Sequence, residues 1–187
     1  MDEITMKSHA RRLSVVIISA PILPLLGVVA YDMVVFSPRL DDIRAILVNA
    51  DLLDRCPPAN IHHYIHALHQ RSAGPSAIVA MRLHSRFLPR VTEFGSRMGE
   101  LMWEKLLWLH LSQDEVIALY STLAYTGQGA GLSALSQRMF AKPLSALTDR
   151  EAATLVAYTG SPAWYLHHPE RLAARRDALM ERARNRH

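Results

Sequence analysis

Three kinds of side chain in this sequence could do chemistry. His62, His66 and His69 recur at i, i+4 and i+7, with His63 beside them. On a helix that spacing places the three rings on one face, and two histidines at i, i+4 can chelate a transition metal. The context argues otherwise. No glutamate flanks them in a metalloprotease pattern, and the nearest thiol is the lone Cys56. The bland reading, an exposed polar helix face, is preferred, and no metal ligand is assigned. Arg97, Arg175 and Arg176 carry guanidinium groups, which match the geometry of a phosphate. Arg171, Arg182, Arg184 and Arg186 extend the C-terminal pair into a charge run, which also fits a solvated basic face near anionic lipid. Ser76, Ser133 and Ser136 have no nucleophile elbow around them, so a serine hydrolase is excluded. No P-loop or dinucleotide motif is present.

Composition bounds the partners. The 187 residues suit one compact domain with an appendage. With 50% hydrophobic and 20% charged residues, most of the chain can bury a core. A single cysteine excludes an internal disulfide and a cysteine-rich zinc ribbon. The net charge of +4 and pI near 9.5 suit an anionic partner. An aromatic content of 7% disfavours a base-stacking surface, so nucleic acid is not expected.

The N-terminal segment makes the first firm statement. Leu13 to Tyr31 carries no charge, and after Asp32 the apolar character resumes through Phe36. That length matches a bilayer core. Lys7, Arg11 and Arg12 precede it and Asp41 and Asp42 follow, which puts the N-terminus in the cytoplasm. The expectation is an uncleaved single-pass anchor in the cytoplasmic (inner) membrane, with the C-terminal domain periplasmic or extracellular. The competing readings are a cleaved signal peptide, for which Val28-Val29-Ala30 offers small residues, and a buried soluble helix. Pro21 and Pro24 kink a membrane helix without forbidding it.

The remaining elements all read as helices. A short one is expected over 44–53, ended by Cys56-Pro57-Pro58. Others are expected over 61–71 and 76–87, separated by Ser72-Ala73-Gly74-Pro75. From Arg97 the residues Leu101, Met102, Trp103, Leu106, Leu107, Trp108 and Leu109 are apolar nearly all round, which predicts a central buried helix. Glu100 in that helix reads as a core carboxylate paired with Arg97 at i−3. Ser112 with Glu115 and Thr148 with Glu151 are capping boxes. Gly127, Gly129 and Gly131 mark a turn, Gly160-Ser161-Pro162 a break, and Pro169 the first turn of a last helix. The fold class is all-α.

From Leu111 to Arg184 the chain resembles the C-terminal half of the peptidoglycan glycosyltransferase domain, glycosyltransferase family 51. The likeness is carried by the ordered set Leu111-Ser112-Gln113-Asp114-Glu115-Val116-Ile117, Tyr120-Ser121-Thr122, the glycine turn, Phe140-Ala141-Lys142, Leu147-Thr148-Asp149-Arg150-Glu151-Ala152-Ala153, His168-Pro169-Glu170-Arg171 and Arg175-Arg176. The resemblance implies a lysozyme-like helical lobe with two essential glutamates. One acts as general base on the acceptor sugar hydroxyl and the other sits near the donor diphosphate. Intact members join lipid II units into glycan strands, so an N-terminal anchor fits.

Carried over residue by residue, the likeness is uneven. The family's Arg-Lys-x-x-Glu motif falls on Ser96-Arg97-Met98-Gly99-Glu100, which keeps the glutamate and one cation. The Gly-Gly-Ser-Thr-Ile-Thr-Gln-Gln motif has an echo at Gly74 to Met81, where Ser76 is kept and both glutamines are lost. The best match for the first glutamate motif is His69-Gln70, and the rest of that motif is missing. No Asp or Glu lies between Asp54 and Glu93, so a base at the first site requires Asp51, Asp54 or Glu93 to be repositioned, or a histidine to serve.

The expectation is therefore an all-α, lysozyme-like domain with one N-terminal transmembrane helix. Its segments are a cytoplasmic terminus (1–12), the anchor (13–36), a juxtamembrane stretch (37–60) and a family-51-like domain (61–187). The resemblance implies a catalytically degenerate protein that binds lipid II, nascent glycan or a cell-wall synthase at a membrane. Glu100 is catalytic only if activity survives, and Arg97, Ser76, Arg175 and Arg176 are substrate-binding candidates. No cofactor is expected, except a divalent metal if the chain is active. The alternatives are an active or altered glycosyltransferase and a His-rich, membrane-anchored metal-binding protein. Trp103, Trp108 and Trp164 are expected to be core or interfacial residues, the alternative being contact with a substrate's lipid tail.

Overall fold

The computed structural model describes residues 22–70, 74–88 and 92–185. The chain divides into a unit up to Asp41 and a larger one from Asp42 to His187. In the first, α1 (Ile22–Tyr31) continues through a π-helical turn at Asp32–Phe36 and a 3-10 turn at Ser37–Arg39. Ser37 Oγ donates to Asp32 Oδ1 across that π turn at 3.0 Å. Leu25, Leu26, Val29, Met33 and Val34 are exposed. The anchor expected over 13–36 lies in part on 13–21, outside the described residues, and no helix among the described residues is long and apolar enough to cross a membrane.

The second unit is helical, with no β-strand among the described residues beyond an isolated bridge from Tyr125 to Ala130. α2 (Leu40–Val48) carries the chain into it, followed by α3 (Leu52–Arg55). The single helix expected over 44–53 is thus two. Asp51 causes the break, because its side chain accepts from Leu53 N at 2.8 Å and caps a new helix. Then come α4 (Ala59–Leu68), α5 (Pro75–Phe87), α6 (Glu93–His110), α7 (Gln113–Thr122), α8 (Leu132–Phe140), α9 (Asp149–Tyr158), α10 (Pro162–Tyr165) and α11 (Pro169–Arg184). Both capping boxes are formed as expected, at Ser112–Glu115 and Thr148–Glu151.

Two layers meet around α7. On one side α5 packs along α6 and against α7; on the other α4 packs on α9 and α11, and α8 joins α7 to α9. Ile61, Ile65, Val79, Leu83, Trp103, Leu107, Leu119, Leu132, Leu155, Val156 and Leu179 are fully buried. Each buried Leu, Ile or Val of this set contributes about 1.5–3 kcal/mol.

The helix predicted to be buried all round is not. α6 buries Gly99, Trp103, Glu104, Leu106 and Leu107, while Met98, Leu101, Trp108 and Leu109 are exposed. Among the described residues α5 is the element that packs extensively along it, on one face. Asp54, 4% exposed, locks three helices together: its Oδ1 accepts from Ser121 Oγ at 2.6 Å and from Ser133 N at 3.0 Å. The carboxylate thereby caps the open N-terminus of α8 from a distance. Gly131 makes this approach possible, because a Cβ there would lie 2.8 Å from Asp54 Oδ2 and its φ is +101°.

Candidate functional site

Ser76 and Glu100 are brought to the same helix pair, α5 and α6. Ser76 is 1% exposed at the start of α5, where Pro75 occupies the first turn. Its hydroxyl donates to Glu104 Oε1 at 3.4 Å and accepts from Trp108 Nε1 at 3.1 Å. Glu104 is 7% exposed, a carboxylate enclosed between the two helices. Reading the sequence missed it. Its signal was a lone acid inside an apolar run, one turn after Glu100, where the buried face had to hold a polar partner.

Glu100 is half-buried one turn earlier. Its negative charge raises the His84 pKa and so partly offsets the burial that lowers it. Gly99 makes room for that imidazole, since a Cβ at 99 would collide with the ring. The His84 ring meets Trp103 edge-on, with centroids 6.0 Å apart. The expected Arg97–Glu100 ion pair is absent among the described residues. Arg97 is exposed, and its side chain turns to solvent.

A second polar cluster joins four helices. His69 Nε2 and Tyr120 Oη share a hydrogen bond at 3.0 Å, and Tyr120 Oη lies 3.4 Å from Thr159 Oγ1. The Arg82 guanidinium stands 5.8 Å from the Tyr120 ring centroid, and Arg82 also donates to the Leu123 carbonyl that ends α7. Burial pushes the His69 pKa from 6.5 down to about 4, helped by the positive charges of Arg175, Arg82 and His66. Its ring is therefore neutral at pH 7. Burial likewise raises the Tyr120 pKa.

Arg175 and Arg176 point to different surroundings. Arg175 points inward beside Gly160, where a Cβ would stand 3.0 Å from Nη2, and its buried Nε has no hydrogen-bond partner. Arg176 points away and donates to Asp177 Oδ1 at 2.7 Å. Neither reaches Ser76 or Glu104 by a contact among the described residues. The upstream acids are committed as well: Asp51 and Asp54 cap α3 and α8, and they line a groove of about 470 Å³ with Thr122, Gly131 and Ser133. Glu93 opens α6, and its side chain lies outside what is described.

The histidine face divides. The His62 and His66 rings are tilted at 48° to each other with centroids 4.8 Å apart, and with His63 and Gln113 they line a cavity of about 570 Å³. His62 Nε2 lies 3.8 Å from Asp114 Oδ1. His69 leaves this face because it is the C-cap of α4 and turns inward to Tyr120. Among the described residues no three His, Cys, Asp or Glu side chains are gathered to hold a metal ion. His69, the third histidine of the expected face, is turned away from the other two.

The sequence that builds these helices is similar to known proteins. A family model described as transglycosylase matches residues 59–184, more than half of the chain. The chain belongs to the transglycosylase family. Curated relatives are each called penicillin-binding protein 1A. The one from Pseudomonas aeruginosa is 29% identical over 112 residues, 58% of this chain and 14% of that protein. The one from Aquifex aeolicus is 30% identical over 112 residues, 58% of this chain and 15% of that protein. The one from Rickettsia bellii is 27% identical over 128 residues, 66% of this chain and 16% of that protein. The matched stretch is thus about one seventh of the length of these relatives. Within this transglycosylase domain the matched residues begin at α4 and close at the end of α11, so both polar clusters fall inside it.

Proposed function

We propose that this transglycosylase-family domain serves bacterial cell-wall assembly by holding lipid II or nascent glycan, or by joining a cell-wall synthase, without polymerising glycan itself. One observation carries the reading. His69, the residue matched to the first catalytic glutamate of the family, is tied to Tyr120 in a half-buried cluster of positive side chains. A base with a pKa near 4, already engaged by a phenol, is poorly suited to take a proton from a sugar hydroxyl at neutral pH. Asp51 and Asp54 are occupied as helix caps and offer no replacement.

In this reading Glu100 keeps the position near the donor diphosphate. Exposed Arg97 meets the phosphates, and Ser76 positions Glu104 and Trp108 beneath the sugar. The inward orientation of Arg175 supports a positioning role for it, and the Asp177 pair of Arg176 a surface role. The apolar segment 13–36 anchors the chain in the cytoplasmic membrane, with the helical domain on the outer side.

A second reading, residual glycosyl transfer, is favoured by the Glu100 and Glu104 carboxylates standing one turn apart on α6. Incubating the full-length chain with lipid II in detergent separates the two. Glycan strands from wild type that vanish in Glu100→Gln establish the enzyme. Bound lipid II without strands establishes the binding domain.

A further inference from the structure

We propose that His62 and His66 on α4, together with Asp114 at the start of α7, take a divalent transition-metal ion, with zinc the ion expected. None of these residues belongs to the glycan site. His62 and His66 stand one helical turn apart, so both rings rise from one face of α4. Their centroids are 4.8 Å apart. Two imidazoles that share a tetrahedral zinc through Nε2 have centroids roughly 5 Å apart, given Zn–N bonds of about 2.0–2.1 Å. The spacing of the rings is therefore already that of a chelate. Both Nε2 atoms also face the same short segment. That of His62 lies 3.8 Å from Asp114 Oδ1, and that of His66 lies 3.5 Å from the Gln113 side-chain nitrogen.

The sequence shows no acid beside these histidines, and the fold brings one from another helix. The His62–Asp114 separation of 3.8 Å is too long for a hydrogen bond. It is close to the roughly 3.3 Å that parts two donor atoms on one tetrahedral zinc. The set is open as it stands, and the ion closes it: the Asp114 side chain is 96% exposed, so its carboxylate can turn onto the metal without disturbing the core. The cavity of about 570 Å³ lined by the histidines gives the ion its way in and leaves room for water at the fourth position. The donors name the occupant. Imidazole nitrogens with one carboxylate suit zinc, copper or nickel, whereas magnesium and calcium require a shell of oxygens.

The test uses the full-length chain, freed of metal by dialysis against a chelator. It is titrated with zinc in competition with a chromogenic indicator and, separately, with cobalt. The expected results are one zinc per chain, not displaced by excess magnesium, and the intense visible absorption of tetrahedral cobalt. His62→Ala and His66→Ala are each expected to weaken zinc binding about tenfold or more, and Asp114→Ala about tenfold, since losing even an outer partner of a metal site costs about 10–100-fold. Both histidines are partly exposed, so helix content by circular dichroism should stay that of wild type. His168, whose Nδ1 lies 3.5 Å from Glu170 Oε1, is the control for a rival pairing of histidine and acid; His168→Ala should bind zinc like wild type. Zinc affinity unchanged in either His62→Ala or His66→Ala overturns the proposal. So does unchanged affinity in Asp114→Ala, loss of zinc in His168→Ala, or the pale spectrum of octahedral cobalt.

Discussion

Lowering the pH should destabilise this domain through His69, and the effect can be sized. The ring titrates at 6.5 when free and at about 4 in the fold, a difference set mainly by burial. Above pH 6.5 the ring is neutral in folded and unfolded chains alike, and no proton distinguishes them. As pH falls from 6.5 towards 4, the unfolded chain takes up a proton that the folded chain refuses. Each pKa unit corresponds to about 1.4 kcal/mol, so a fully enclosed ring would lose about 3 kcal/mol across that window. His69 is only half-buried, and solvent screening reduces the expected loss to about 1–2 kcal/mol. The assay is urea unfolding of wild type and His69→Gln at pH 7.0, 5.5 and 4.5. The glutamine amide does not titrate and can still bond Tyr120. The stability difference between the two proteins should shift by about 1–2 kcal/mol towards the variant as pH falls. Parallel curves would show that His69 does not resist protonation, and the placement of this ring against Arg82 and Arg175 would be wrong.

Other substitutions probe the framework. Gly131→Ala places a Cβ 2.8 Å from Asp54 Oδ2 at a φ of +101°; chemical denaturation should show a loss of about 1–3 kcal/mol. Ser76→Ala removes the hydrogen bond to buried Glu104 and should cost about 1–3 kcal/mol by the same measurement, with a shift in tryptophan emission from Trp108. Ser112→Ala opens the capping box of α7 and should lower stability by about 1 kcal/mol, read as a fall in melting temperature.

The sequence was most legible where the backbone itself sets the rule. Capping boxes at Ser112 and Thr148 were recoverable because a hydroxyl three residues before a glutamate satisfies helix amides locally. Gly127, Gly129 and Gly131 all adopt positive φ, as a glycine turn requires. Long-range choices were hidden. The apolar run on α6 looks the same in sequence whether or not a neighbouring helix covers its outer face. Only the packing of α5 along one side distinguishes them. His69 continues a helical period on paper, yet α4 ends at Leu68, and the next residue turns into the core. Glu104 was concealed by Glu100, which the family motif singled out, although it is Glu104 that Ser76 meets.

The decisive measurement is a single reaction in which the full-length chain meets radiolabelled lipid II in detergent, with equilibrium binding and strand length recorded from the same samples. Saturable binding that weakens in Arg97→Ala, with no product longer than the substrate, is the expected result. Strands made by wild type and lost in Glu100→Gln would contradict a non-polymerising domain, and absence of binding would contradict a glycan-holding one.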